Sequence, residues 1–298
     1  MSDLCPRTEP SRDEIDAVAE TRRPTSELPG TGEVDVWWLT IEPLEIPAPT
    51  QLAVLSPTER AYAAAHRSPS HRGRYVRVRA ALRSIAAGYL GADPALIEIA
   101  CREGGKPELR TAAADLRFSV SHTETAAVLV FATGRDVGVD VESTRPDLDV
   151  AAVAATHFHI DEAPALLAVH GLDRADAFLR SWVRKEALLK CLGTGLGLGL
   201  ADARWYAATG PGARLTSFAA ASAPPPAGGV VRDLHVIDLD APRAHRAALA
   251  VRGAQPPAAV VVRRPFSRDG VTLPDGRVRD GSAPTPTGRR SPRAARAG

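Results

Sequence analysis

The sequence predicts an α+β protein that consists of two similar subdomains. Helical and strand-like segments occur in separate runs, which favours α+β over an alternating doubly wound sheet. The order strand, helices, long helix, strands occurs twice, over residues 34–143 and 144–263. The chain has 298 residues, of which 44% are hydrophobic and 24% charged, so it can bury a sizeable core and is not fibrous or fully disordered.

The first subdomain begins with a predicted strand at Val34–Ile41. Ser56 is a typical helix N-cap and Pro57 suits the first helical position, so a helix starts there. A second helix is predicted over His71–Leu90 and ends at Gly91. Four short β-rich runs follow at Leu96–Cys101, Phe118–His122, Ala126–Ala132 and Val137–Glu142. We expect these four strands to form a meander.

The second subdomain begins with short helices within residues 147–170. A long amphipathic helix is predicted over Asp173–Leu192 and stops at Gly193. The glycine-rich run 193–199 follows a helix and lacks GK[ST], so it is not a phosphate-binding P-loop. Strands are predicted at 203–207, 214–219, 234–239, 247–252 and 258–263.

Residues 1–33 and 264–298 are predicted to be disordered tails, the first acidic and the second basic. The N-terminus has no basic start followed by an apolar core, and no apolar run approaches the roughly 20 residues of a membrane span. We therefore expect a cytoplasmic protein that does not enter a membrane. The three cysteines are scattered without CxxC spacing, which favours reduced thiols over a disulfide framework or a zinc site.

The strand that contains Asp140 and Glu142 carries the first candidate site. Strand side chains alternate between faces, so the two carboxylates project to one side while Val139 and Val141 enter the core. Two adjacent acids suit a divalent cation with oxygen ligands such as Mg²⁺. The alternative is a solvated strand end, since so short a motif is common.

The long helix carries the second candidate site, in which Trp182, Glu186 and Lys190 share one stripe and Lys185 lies beside it. An ordinary Glu–Lys helix pair is the alternative, worth only about 0.3–0.5 kcal/mol. Only three of the 37 basic residues are lysines, and two of these three lie within this motif. A chemical role for a compact ammonium group is therefore favoured.

Further polar groups follow the predicted strand 118–122. Ser121, His122 and Thr123 have side chains that can hydrogen-bond an anionic ligand, and Lys106 lies in a glycine-rich turn. A basic block with no acid between Arg60 and Leu90 precedes them and suits phosphates or an acidic partner, although a solvated helix face explains part of it. Its cations are Arg60, His66, Arg67, His71, Arg72, Arg74, Arg77, Arg79 and Arg83.

Four motifs, in their order and spacing, resemble those of 4′-phosphopantetheinyl transferases of the Sfp type. They are GGKP at 104–107, FSVSHT at 118–123, GVDVES at 138–143 and WVRKEALLKCLGTGL at 182–196. The resemblance covers about residues 34–262 and leaves out both tails. It implies a pseudo-dimer of two α+β subdomains with the active site at their interface.

The resemblance also implies a reaction. The phosphopantetheine arm of coenzyme A, the substrate, moves to a serine of an apo acyl or peptidyl carrier protein, and 3′,5′-ADP is released. Mg²⁺ would be held by Asp140, Glu142 and Glu186, and Glu186 is alternatively the general base. Lys190 would assist the leaving phosphate. The residues implied to bind coenzyme A are Lys106, Ser121, His122, Thr123 and Lys185.

The expected pathway is polyketide or nonribosomal peptide biosynthesis, or fatty acid synthesis, and the expected state is a monomer. Nucleic acid is not expected as a partner, because the basic block has a single aromatic residue, Tyr75, and no recognised nucleic-acid-binding motif. A Mg²⁺-dependent phosphohydrolase and a non-enzymatic module that binds coenzyme A or a carrier are the alternatives. Departures from the family pattern are Val141, which supplies no third carboxylate, and the segment after the acids, which bears on carrier selectivity.

Overall fold

The computed structural model describes residues 27–41, 47–102, 105–111, 114–144, 149–158, 163–193, 203–204, 217–220 and 231–263. The predictions for residues 1–26, 264–298 and 194–199 lie outside these ranges. The helices are α1 Pro49–Ala53, α2 Pro57–Ala65, α3 Pro69–Leu90, α4 Val150–His157, α5 Ala163–Leu167 and α6 Leu172–Leu192. The strands are β1 Glu33–Thr40, β2 Ile99–Cys101, β3 Pro107–Leu109, β4 Leu116–His122, β5 Ala126–Thr133, β6 Val137–Ser143, β7 Ala203–Arg204, β8 Ser217–Ala220, β9 Val231–Arg232, β10 Leu234–Leu239, β11 His245–Arg252 and β12 Ala259–Arg263.

Local sequence signals set the ends of the main helices. The side chain of Ser56 accepts a hydrogen bond from the Glu59 amide at the start of α2, and Glu59 returns the contact, so the predicted helix start is confirmed. The helices α3 and α6 end at Gly91 and Gly193, whose φ angles of 60° and 71° are left-handed. Glycine is favoured at both positions because it has no Cβ.

The first sheet has the strand order β12-β1-β5-β4. Strand β1 runs parallel to β12 and antiparallel to β5, and β4 pairs antiparallel with β5. The helix α3 covers one face of this sheet, where Leu82 and Ile85 share a core with Trp37, Phe118 and Phe131. The other face of the sheet is lined by valines.

The second sheet has the strand order β10-β11-β6 and is covered by α6. Val183, Ala187 and Leu188 on this helix pack against Leu234 and Ala248. The valine faces of the two sheets form a shared core. The layers are therefore α3, first sheet, second sheet and α6, and each sheet carries one long helix on its outer face.

The two halves of the chain exchange strands between the sheets. Strand β12 comes from the second half and pairs with β1, whereas β6 comes from the first half and pairs with β11. The expected meander is therefore wrong beyond the β4–β5 hairpin. Both edges of β5 are occupied, by β1 and β4, so β6 cannot join its ladder.

Two smaller differences concern the ends of predicted segments. The strand expected at Leu96–Cys101 is shorter, because Asp93 caps a 3₁₀ turn over Pro94–Leu96. At the N-terminal side, the carbonyl of Pro29 accepts a 2.9 Å hydrogen bond from the Thr133 hydroxyl, so the end of the segment assigned to the tail contacts the first sheet. None of the helices that the structure describes has the length and apolar content of a membrane span.

Candidate active site

The strand β6 presents two different faces, as its alternation predicts. Val139 and Val141 lie in the core between the sheets, and Asp140 projects from the opposite face. Gly138 lies where α6 approaches most closely, since a Cβ there would be 2.0 Å from the Ala187 carbonyl oxygen. The absence of a side chain at Gly138 thus allows α6 to pack directly on the strand that carries the acids.

Asp140 is the centre of a compact polar cluster with only 4% of its surface exposed. Its Oδ1 accepts hydrogen bonds from the Lys190 ammonium at 2.7 Å and from the Ser121 hydroxyl at 2.8 Å. Lys190 also donates to the Ser121 oxygen at 3.0 Å. The second oxygen, Oδ2, is buried and has no hydrogen-bond partner among the described residues. One side of this carboxylate therefore remains available to a ligand.

Two further acids lie near Asp140. Burial, followed by the negative charge of Asp140, raises the pKa of Glu186, and the Lys190 charge opposes this shift only in part. Glu142 is half-buried, two residues along β6 on the same face. Such a set of carboxylate oxygens suits a hard divalent cation chemically. In the described ranges, however, no group of three or more acidic, histidine or cysteine side chains is already arranged around an ion position.

The end of β4 supplies the polar turn next to Asp140. Ser119 and Ser121 project toward β6, where the Ser119 hydroxyl accepts a 3.1 Å hydrogen bond from the Val139 amide. His122 is half-buried at the end of the strand, and Thr123 follows it. The first sheet therefore contributes the serine of the cluster, while the second sheet and α6 contribute the acids and the lysine.

Lys106 does not join the Asp140 cluster. Its ammonium donates 3.0 Å hydrogen bonds to the carbonyls of Val137 and Cys191, at the start of β6 and near the end of α6. Burial lowers the pKa of Lys106. The same side chain lines a cleft of about 520 Å³ that also contains Arg102, Arg117 and Asp136. Its assignment to coenzyme A stays a prediction.

Lys185 is buried on the side of α6 that faces an aromatic cluster. Its ammonium lies 4.6 Å from the centre of the Phe158 ring, an arrangement that cation–π attraction stabilises. Phe158 also contacts Phe178 and Trp182. Only 1% of the Lys185 surface is exposed, and its proposed role in substrate binding stays a prediction.

The basic block divides into a surface part and a buried part. Arg79 and Arg83 are 2% and 3% exposed, and both form ion pairs with the buried Glu59. Both arginines therefore lie in the interior. The acid that neutralises them, Glu59, immediately precedes the acid-free segment 60–90 of the sequence. The basic surface of α2 and α3 accordingly consists of the half-buried or exposed residues Arg60, Arg67, Arg72, Arg74 and Arg77.

The thiols differ from the sequence expectation. Cys101 is disulfide-bonded, so the expectation of three reduced thiols is wrong for that residue. Cys191 is free, and burial raises its pKa to about 12, which keeps it protonated and unreactive.

Sequence reasoning missed three residues that shape the site. Ser119 could have been found, because Arg117, Ser119 and Ser121 form a polar face on an otherwise apolar strand. Gly138 was quoted only as part of a motif, and its packing role needs the position of α6. His245 carried no local signal. It reaches the turn after β4 from a strand more than a hundred residues away in the chain.

Comparisons with known proteins show which sequences this chain resembles. The profile of the 4′-phosphopantetheinyl transferase superfamily matches residues 136–226, which include Asp140, Glu186 and Lys190. The chain is 34% identical over 166 residues to the 4′-phosphopantetheinyl transferase HetI of Nostoc sp., a match that covers 55% of this chain and 70% of HetI. A 4′-phosphopantetheinyl transferase of Bacillus subtilis is 33% identical over 119 residues, 40% of this chain and 51% of that protein. AcpT of Escherichia coli is 34% identical over 95 residues, 32% of this chain and 48% of AcpT.

Proposed function

Because this chain belongs to the 4′-phosphopantetheinyl transferase superfamily, we propose that its Asp140 cluster is the centre where the phosphopantetheine arm of coenzyme A is transferred to a carrier-protein serine. The observation that supports this assignment is the buried Asp140 carboxylate. Lys190 and Ser121 bind one of its oxygens, and the other has no partner among the described groups. A buried charge left half-paired is costly, and with the acid Glu186 and the cation Lys190 beside it this one suits a ligand.

Asp140, Glu142 and Glu186 would hold the divalent cation. Their oxygens are the ligand type that Mg²⁺ prefers. Burial, followed by the negative charge of Asp140, raises the pKa of Glu186, and a bound cation would offset both effects. When bound, Mg²⁺ would supply positive charge against the pyrophosphate of coenzyme A. Without a bound cation, Lys190 neutralises part of the acidic charge through its 2.7 Å contact with Asp140.

The chain's own residues account for the proton movements. The serine oxygen of the carrier forms a bond to the β-phosphorus of coenzyme A, and the pyrophosphate bond breaks to release 3′,5′-ADP. Glu186 either accepts the serine proton or binds the cation, and its raised pKa makes it a better base. The Lys190 ammonium stabilises or protonates the leaving phosphate.

Coenzyme A would bind where β4 ends. Ser121 is hydrogen-bonded to Asp140, and His122 and Thr123 follow it at the end of β4. The resemblance of the motifs assigns these three residues to the phosphates of the substrate. Lys106 and Lys185 complete the proposed binding set, although their side chains contact backbone carbonyls and the Phe158 ring respectively. The basic surface of α2 and α3 would attract an acidic carrier protein.

The proposal extends to the biological setting. The acceptor would be an apo acyl or peptidyl carrier of polyketide, nonribosomal peptide or fatty acid synthesis, modified in the cytoplasm by a monomeric enzyme. These finer assignments follow from the resemblance of the motifs, and each remains a prediction.

Intact mass of the carrier tests the proposal. The full chain is incubated with coenzyme A, Mg²⁺ and a panel of apo carriers, and the expected result is a carrier heavier by one phosphopantetheine arm on serine. A mixture without coenzyme A and an Asp140→Ala mixture serve as controls. Binding of coenzyme A without any gain in carrier mass would support a non-enzymatic module. Release of nucleotide without carrier modification would support a phosphohydrolase.

A further inference from the structure

His245 connects the second sheet to the turn that follows β4 in the first sheet. It is the first residue of β11 and is 7% exposed. Its Nδ1 lies 2.9 Å from the Arg243 carbonyl oxygen, and its Nε2 lies 3.2 Å from the hydroxyl oxygens of both Thr123 and Thr125. One imidazole thus binds both threonines of the turn that carries the proposed coenzyme A ligands.

The hydrogen-bond partners fix the direction of each bond. A carbonyl oxygen only accepts, so Nδ1 carries the proton that points to Arg243, and in this tautomer Nε2 accepts. The Thr123 oxygen already accepts from the amides of Ala126 at 3.1 Å and Thr125 at 3.3 Å. Its own proton has two acceptors within reach, His245 Nε2 at 3.2 Å and the Ala126 carbonyl at 3.4 Å.

This arrangement gives Thr123 a different task from the one that the sequence suggests. Its hydroxyl is fully engaged by the backbone of its own turn and by His245, so it shapes the turn and donates no hydrogen bond to a ligand. The neighbouring Ser121 remains hydrogen-bonded to Asp140, whereas His122, the next residue along β4, projects from the opposite face of the strand. The geometry of this turn relative to β6 then depends on a residue of the second half of the chain.

We propose that His245 is a positioning residue for substrate binding, which holds the 121–125 turn in the conformation that receives the phosphates of coenzyme A. The inference rests on the proposed function, because it takes this turn as part of the coenzyme A site. His245 does not contact the reacting atoms. Its loss changes the affinity for coenzyme A and leaves the chemistry at Asp140 in place.

A pair of variants separates the two nitrogen atoms of the ring. In His245→Asn the side-chain amide nitrogen takes the place of Nδ1 and keeps the hydrogen bond to the Arg243 carbonyl. The longer side chain of His245→Gln instead places its amide oxygen near the position of Nε2, where it accepts from the threonines. The expected result is a KM for coenzyme A that is raised about three- to tenfold in His245→Asn, with kcat nearly unchanged, and largely restored in His245→Gln. Thr123→Val should behave like His245→Asn.

His235 provides the matched control. It lies on the adjacent strand β10, and its Nε2 lies 2.8 Å from the Gly253 carbonyl, a contact remote from the turn. His235→Asn should lower the melting temperature without changing the KM for coenzyme A. Equal KM values for wild type, His245→Asn and His245→Gln would overturn the proposal, as would a loss confined to melting temperature.

Calorimetric titration with coenzyme A distinguishes this failure from failure of the proposed function. If wild type modifies no carrier but binds coenzyme A more tightly than His245→Asn, the positioning role holds and the transfer assignment fails. If wild type modifies carriers and binds coenzyme A no more tightly than His245→Asn, the positioning role is wrong.

Discussion

Two buried carboxylates of this chain bind cations from a long helix, and the comparison between them separates stability from function. Glu59 lies in α2 and pairs with Arg79 and Arg83 of α3. Asp140 lies in β6 and pairs with Lys190 of α6. Both acids are almost completely buried, with 2% and 4% of their surfaces exposed. By burial and charge alone, the two clusters look alike.

They differ in how completely the acid is bound. Both oxygens of Glu59 have partners, since Oε1 pairs with Arg79 while Oε2 accepts from Arg83 and from the Ser56 amide. Burial alone would raise the pKa of Glu59, but the combined attraction of the two arginines lowers it. This acid is permanently ionised at neutral pH. Neither oxygen of this carboxylate is left without a partner, and we call such a cluster closed.

Judged in the same way, by how many carboxylate oxygens have a partner, the Asp140 cluster is open. Asp140 Oδ2 has no partner in the described part of the chain, and a second acid, Glu186, is held nearby with a raised pKa. Repulsion between acids destabilises this region unless a cation or a proton relieves it. We therefore expect the fully paired Glu59 carboxylate to stabilise the fold, and the Asp140 carboxylate, with Glu186 beside it, to bind a ligand. The first two predictions below test this distinction.

The largest effect is expected for Asp140→Ala. Removing the carboxylate at the centre of the open cluster should lower carrier modification by about 1,000-fold or more, as for loss of a central charge-stabilising group. The melting temperature should stay close to wild type, because the acid was incompletely paired. Asp176→Ala is the control, since Asp176 pairs with Arg180 and Arg246 outside the cluster. Full activity of Asp140→Ala, measured by carrier mass, would contradict the site assignment.

For Glu59→Gln the effect should fall on stability. Breaking a closed buried cluster leaves two arginines without a counter-charge, which should cost about 3–5 kcal/mol and lower the melting temperature by roughly 10 °C. Turnover below the melting temperature should be retained. Glu108→Gln removes a partly exposed ion pair with Arg102 and should cost less than about 1 kcal/mol. Equal stability of the two variants would show that the Glu59 cluster is not the stabilising one.

Acidification gives a second test of Glu59. Its pKa in the folded state is lowered from 4.5, so the stabilisation that it contributes is complete above that value and is lost as the pH falls through the lowered pKa. The stability difference between wild type and Glu59→Gln should therefore be constant near neutral pH and shrink below about pH 4.5. Denaturant titrations across pH measure this. A difference that does not change with pH would exclude an ionised Glu59.

Gly138→Ala should affect both stability and activity. The new Cβ would lie 2.0 Å from the Ala187 carbonyl oxygen and 2.3 Å from the Cys191 amide nitrogen, so α6 must move away from β6. We expect a destabilisation of about 2–3 kcal/mol together with lower kcat, because Lys190 moves with the helix. Gly134→Ala, whose Cβ meets nothing within 4 Å, should cost only about 1 kcal/mol for its positive φ. An unchanged kcat in Gly138→Ala would show that catalysis does not depend on the close packing of α6 on β6.

The smallest effect is expected on the basic surface of α2 and α3. Unlike the buried Arg79, Arg74 is partly exposed, and Arg74→Glu should raise the KM for an acidic carrier about threefold at low salt. The difference from wild type should shrink as salt screens the charges. An increased KM for coenzyme A instead would assign this surface to the nucleotide, and no change in either KM would leave it a solvated helix face.

Local signals in the sequence were sufficient for most elements and for the face of β6 from which Asp140 projects. Capping residues and terminal glycines set the ends of α2, α3 and α6, because these interactions involve residues only a few positions apart. Period-two alternation placed Asp140 opposite Val139 and Val141 in the same way. The order and spacing of the motifs that contain Asp140, Glu186 and Lys190 then identified the family to which the chain belongs.

Contacts between distant segments could not be derived in this way. That β6 leaves the β4–β5 hairpin, that Glu59 neutralises two arginines of the basic block and that His245 binds the 121–125 turn all depend on how separate elements pack. The sequence by itself determined the types of the main elements, the capped start of α2 and the glycine ends of α3 and α6, since these follow from short-range sterics and hydrogen bonding. Only the tertiary structure decided which strand joins which sheet and which of the two acids, Glu59 or Asp140, keeps an oxygen without a partner, because burial and pairing are properties of neighbours that the chain brings together from far apart.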